Sequence, residues 1–141
     1  MRRPVICVLI LYLTLCSALA PAQGSDKEKA AAVAAAKEWL VLVDSRHYGQ
    51  SWKQAAEYFR AAVTKAAWRD SLMAVRNPLG RVRSREFHDA VYKSSLPGAP
   101  DGEYIVIQFK TSFENKESAV ETVTPMLEKD GRWRVSGYFI R

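Results

Sequence analysis

Apolar positions recur at helical spacing through the first half of the chain and at strand spacing through the second. Val33, Ala36, Leu40 and Val43 form one stripe, with Trp39 beside it, in a stretch from about Asp26 to Asp44 rich in Ala, Lys and Glu. These are strong helix formers, so composition and spacing together predict a first helix there. Ser45 to Gly49 breaks it. Trp52, Ala55, Ala56, Phe59, Ala62 and Val63 follow Ser51 at i, i+3, i+4, i+7 intervals and predict a second helix with Ser51 as its N-cap. Thr64 caps a third, on which Trp68, Leu72 and Val75 share a face. Asn77-Pro78 stops that helix, because a residue before proline is pushed out of the α region, and Gly80 completes the turn.

From Gly80 onward the period shortens to two. Arg81 to Tyr92 alternates only loosely and predicts the weakest strand. Leu96 to Gly102 is built from turn residues. Ile105, Ile107, Phe109, Thr111 and Phe113 then alternate with Tyr104, Val106, Gln108, Lys110 and Ser112, giving a long strand with one strongly apolar face. Ser118 to Leu127 predicts a third strand, in which Pro125 forces a bulge or an edge position. Asp130-Gly131 is a hairpin signal leading to Arg132–Ile140, the fourth. There Trp133, Val135, Gly137 and Phe139 are expected on one face, Tyr138 and Ile140 on the other. About three helices followed by about four hairpin-linked strands predict an α+β fold: helices packed on a curved, mainly antiparallel, cone-like sheet.

The extreme N-terminus carries a different signal. Arg2 and Arg3 precede an apolar run, Val5 to Leu15, and Ala20-Pro21-Ala22 has the small-x-small form of a signal-peptidase site. The run is shorter than the ~20 residues that span a bilayer. The expected organisation is therefore a cleaved signal peptide over 1–22, a polar flexible lead-in over 23–29, and one α+β domain over 30–141. The expected address is periplasmic or secreted, with membrane contact only through the signal segment before cleavage. Both cysteines, Cys7 and Cys16, fall in that segment, so the remaining 119 residues have no thiol and no disulfide. Stability must come from packing, for which all four tryptophans are available. The net charge of +6 becomes +4 without Arg2 and Arg3, and its basic residues are scattered among acids. That distribution and an exported address argue against nucleic acid as a partner.

Chemistry-bearing motifs are sparse. Leu96–Gly102 has glycines, but its prolines remove donors that a phosphate loop needs. His47 and His88 stand far apart and no cysteine follows Cys16, so neither metal nor cofactor is expected. Ser51 lies near His47 but reads as a helix cap rather than a nucleophile. A pocket between helices and sheet would be walled by Trp52, Phe59 and Trp68, with Tyr104 and Glu121 as polar candidates. Asp44 and Glu57 are further acids near apolar positions. Each has a plainer reading: Asp44 ends a helix, Glu57 lies off the stripe, and Glu121 pairs with a cross-strand arginine.

Trp39-Leu40, Ser51-Trp52, Phe59, Trp68, Leu79-Gly80, Ser84-Arg85, Ser95 to Gly98 and Asp101 to Tyr104 occur in an order that resembles a bacterial domain-of-unknown-function family, number four thousand and nineteen. Glu121 to Thr124 and Gly131 to Phe139 close the pattern. The resemblance implies small exported proteins and supplies no catalytic residues. In layout alone, helices before a curved sheet are similar to nuclear-transport-factor-2-like or cystatin-like folds, which host enzymes and binding modules alike. The expected function is a non-enzymatic binding or envelope-associated module. Its expected partner is a small ligand or envelope protein, with a second copy docking through the outer sheet face. The alternative is a small-pocket lyase or isomerase using a buried carboxylate as general base.

Overall fold

The computed structural model describes residues 24–141; the expected signal peptide and its cleavage site lie outside them. The first helix, α1, spans Asp26–Asp44. It starts inside the expected lead-in because Ser25 forms a capping box: its hydroxyl accepts the Glu28 N–H, and the Glu28 carboxylate accepts the Ser25 N–H at 2.9 Å. Ala32, Ala36, Trp39, Leu40 and Val43 are buried along one stripe. The helix ends where Arg46 turns left-handed, at φ 62°, and the His47 N–H reaches back to the Leu42 carbonyl at 2.8 Å.

The expected second helix divides into two short ones, α2 (Tyr48–Lys53) and α3 (Glu57–Ala62). Ser51 is thus no N-cap. It lies mid-helix and fully buried, its hydroxyl donating to the Tyr48 carbonyl at 2.7 Å. The break between the helices is put to use: the Ala56 N–H donates to the Val135 carbonyl at 2.8 Å, tying this corner to the sheet.

The last helix, α4, spans Lys65–Leu79, with Thr64 accepting the Ala67 N–H at 3.1 Å as expected of a cap. Two expectations fail here. Val75 is 47% exposed, whereas Arg76, at i+4 from Leu72 and i+8 from Trp68, is only 5% exposed. The helix also runs through Pro78 to Leu79. Its final carbonyls have outside donors, since Asn115 gives its side-chain amide to Pro78 O and its N–H to Leu79 O, both at 3.0 Å. Gly80 follows at φ 75°, and a Cβ there would meet Glu114 within 3 Å.

Among the described residues, four strands form one antiparallel meander in the order β1 (Val82–Lys93), β2 (Tyr104–Phe113), β3 (Lys116–Leu127), β4 (Trp133–Ile140). Ile105, Ile107, Phe109, Val123 and Val135 face the helices and make the core with the α1 stripe, Trp68 and Leu72. Every ladder carries a register shift. In β1 the extra residues are Arg83 and His88. At the third ladder Thr124 pairs with Gly137 and Pro125 with Val135, so Ser136 is the additional residue. Pro125 thus sits at a bulge, as its missing N–H requires, though the inserted residue is on β4. The insertion reverses the alternation of β4. Tyr138 packs edge-on against Trp39 at 5.4 Å, while Phe139 turns outward and is 47% exposed, the opposite of the sequence expectation.

Candidate functional site

Where α1 and α4 end over the sheet, four charged residues meet. Glu121 of β3 is wholly buried, yet every partner it needs is present. The Arg85 guanidinium donates to both its oxygens, at 2.7 and 3.2 Å, from β1. Thr111, on the intervening β2, donates at 2.6 Å, and the Tyr138 hydroxyl donates from β4. Arg85 continues outward to Asp44 at the end of α1, with two bonds of 2.7 and 3.0 Å. Arg76 of α4 joins Asp44 at 2.9 Å and lies over the Phe113 ring at 5.1 Å.

Two guanidinium groups thus match two carboxylates, and the constellation links both long helices to all four strands. Burial is the largest influence on Asp44 and alone would raise its pKa, but hydrogen bonds and charge from Arg85 and Arg76 outweigh it and hold the carboxyl below its ordinary 3.8. Burial, reinforced by the Glu121 charge, pushes the Tyr138 phenol well above its usual range. A general base needs a lone pair facing a substrate. Glu121 has none to spare, and its surroundings describe a clamp.

Of the candidates expected from the sequence, Trp52, Phe59 and Trp68 do come together, as packing. Phe59 meets Trp68 edge-on at 4.9 Å. Trp68 donates to the Ser51 hydroxyl at 3.0 Å and Trp52 to the Val63 carbonyl at 2.6 Å, so the polar edge of each indole is occupied. Tyr104 lies on the opposite sheet face, its hydroxyl bonded to Pro100 O in the preceding loop. It therefore shares no site with the tryptophans, and Glu121 sits apart in the clamp. Glu57 starts α3 at the surface.

Open space lies along both flanks of α1 and, with a volume of ≈ 630 Å³, between Glu57, Tyr58 and Ala61 of α3 and residues 126–130. On the β4 side, Ala31, Ala35, Glu38 and Trp39 face Lys53, Gln54 and residues 132–135 across a cleft of ≈ 660 Å³. Arg134 is engaged there by Glu128 and Asp130. Lys53 and Arg132 make no ion pair among the described residues. On the β1 side, a groove of ≈ 520 Å³ runs between Lys29, Ala30, Val33 and Lys37 of α1 and Phe87, Asp89 and Ala90 of β1.

A family model described as "Protein of unknown function (DUF4019)" matches residues 35–138. The chain belongs to the DUF4019 family. No curated protein matches it. The matched span of this DUF4019 chain contains all six residues of the clamp, from Asp44 to Tyr138. The sequence marks Asp44 and Glu121 as candidates, whereas Arg76 is signalled only by its place on the apolar stripe of α4.

The lowered pKa of Asp44 sets the direction of the acid response. A depressed carboxyl contributes stability that is present above its unfolded value, near 3.8, and lost as pH falls through the lower folded value. In urea melts from pH 6 to about pH 2, stability is expected to drop below about pH 4. The drop should be shallower in Asp44→Asn, which starts from a lower plateau. An identical slope in both proteins would show that Asp44 does not gain its partners on folding.

Proposed function

We propose that this DUF4019 protein is an exported, non-enzymatic binding module whose receptor surface is the cleft between α1 and β4. The observation that carries the reading is a division of the charged groups. Asp44, Glu121, Arg76 and Arg85 are consumed within the fold, whereas Lys53 and Arg132 stand uncommitted beside the half-buried Trp133 and outnumber Glu38, the cleft acid that is unpaired among the described residues. Two cations next to an aromatic surface suit an anionic ligand with an apolar portion. Export is supported by Arg2, Arg3, the Val5–Leu15 run and Ala20-Pro21-Ala22. The exposed Val91 and Phe139 on the outer sheet face are the apolar residues that a second copy would cover.

Tryptophan emission offers a direct test, since Trp39 and Trp133 both line the cleft. Titration with phthalate, a dianion with an apolar ring, is expected to change the emission saturably. Lys53→Ala and Arg132→Ala should each weaken binding by about five- to tenfold without lowering thermal stability. No saturable change up to about 10 mM, where even a weak complex would form, would remove the cleft as the receptor surface.

A further inference from the structure

The other flank of α1 has a composition of its own. β1 pairs with β2 alone, and its outer edge has no partner strand among the described residues. Along that edge Phe87 is 51% exposed although its ring lies on the helix-facing side, edge-on to Phe109 at 6.4 Å. Above it α1 presents Lys29, Val33 and Lys37, with Ala30 beside them, and closes the groove with Phe87 and Ala90. Neither lysine has a salt-bridge partner among the described residues. The groove is thus an apolar floor, rimmed by two free cations on the helix side and by Asp89 on the strand side, next to an open strand edge.

The dimensions select an occupant. Lys29 and Lys37 are eight residues apart on a helix, about 12 Å at the standard rise. Gly24 abuts Tyr92, Val33 lies by Phe87 and Ala90, and Asp44 reaches Arg85, so α1 descends alongside β1 in the opposite direction. Residues i, i+2 and i+4 on one face of a strand span about 13 Å, nearly the same length. An extended segment laid along β1 would therefore set an acid near Lys29, an apolar side chain on Val33 and Phe87, and a second acid near Lys37.

We propose that this edge is a docking surface for an extended acidic segment of a partner protein, with an acid-x-apolar-x-acid face, which adds to the sheet as a fifth strand beside β1. Main-chain bonds to the open edge supply affinity, and the lysine–Phe87 groove supplies selection. Exposed edges invite uncontrolled pairing, and proteins usually blunt them with charge and bulges. The bulge at His88 and the Asp89 carboxylate, which accepts the Ala90 N–H at 2.8 Å, do so in β1. Those devices discourage indiscriminate pairing, and Lys29 and Lys37 across the groove favour a partner that carries acids. This surface is separate from the β4-side cleft, and either can fail without the other.

The test uses a labelled nine-residue peptide, Thr-Val-Asp-Thr-Val-Thr-Glu-Val-Thr, and a control in which lysines replace both acids. Fluorescence anisotropy with the full chain should show saturable binding of the acidic peptide and at least tenfold weaker binding of the control. Lys29→Glu/Lys37→Glu and Phe87→Ser should each weaken the acidic peptide by about tenfold or more. Circular dichroism melts establish that these surface variants remain folded. Hydrogen exchange on the wild-type protein provides an independent readout: bound peptide should protect amides within 82–93. Equal affinity for both peptides, no saturable binding, or protection confined to 133–140 would overturn the proposal. So would a concentration-dependent dimer that already protects 82–93 without peptide, since the occupant would then be a second copy.

Discussion

Replacing Glu121 by leucine is expected to destabilise the protein by about 3–5 kcal/mol, the usual cost of removing one partner from a buried charge pair. Most of that cost comes from what remains. Arg85 keeps Asp44 but loses two bonds to Glu121, while Thr111 and Tyr138 are left with donors facing a hydrocarbon side chain. In a domain of this size the loss corresponds to a fall in melting temperature of roughly 10–20 °C. The double substitution Arg85→Met/Glu121→Met should recover much of it, because well-packed apolar residues often replace a buried ion pair at little net cost. Urea unfolding of the two singles and the double gives the coupling directly. Additive losses, with no recovery in the double, would show that the two side chains do not act as a unit.

Trp68→Ala is the second large effect, expected at about 3–5 kcal/mol. The indole is nearly buried between Trp39, at 6.1 Å, and Phe59, at 4.9 Å, and its N–H holds the Ser51 hydroxyl. Trp68→Phe separates the contributions: it keeps a ring in the cluster and loses the hydrogen bond, for about 1–2 kcal/mol. Equal losses in the two variants, measured by urea unfolding, would move the weight from ring packing to the bond. The same hub explains why Ser51 is buried. Its carbonyl takes the Trp39 indole at 2.9 Å while its hydroxyl takes Trp68, so one small residue satisfies two large ones.

The α+β class, the helix-before-sheet order and the long strand β2 were all legible in the sequence, because a 3.6 period and a clean alternation mark them. The losses have particular causes. β1 alternated loosely because Arg83 and His88 are inserted into its ladder, and each insertion resets the period of two. Ser136 does the same in β4, which is why Tyr138 and Phe139 exchanged faces. A bulge leaves almost no local mark; only Pro125 announced one. Ser51 misled because serine before an apolar periodic run resembles an N-cap, and its tertiary partners, Trp39 and Trp68, lie far away in sequence. Arg76 was hidden by its charge. A residue that is apolar by position and ionic by chemistry is assigned to solvent unless its partners are known, and these sit on α1 and β4.

Those distant partners separate a structural role for the clamp from a chemical one. If Glu121 only holds α1, α4 and the sheet together, its isosteric amide should weaken the fold and leave the receptor surface intact. The decisive measurement is the affinity of Glu121→Gln for phthalate, set beside the wild type at a temperature where both are folded. A purely structural role predicts affinities within about twofold despite a lower melting temperature, since the cleft shares no residue with the clamp. A folded Glu121→Gln protein that bound at least ten times more weakly would contradict it and place the buried carboxylate in the working site.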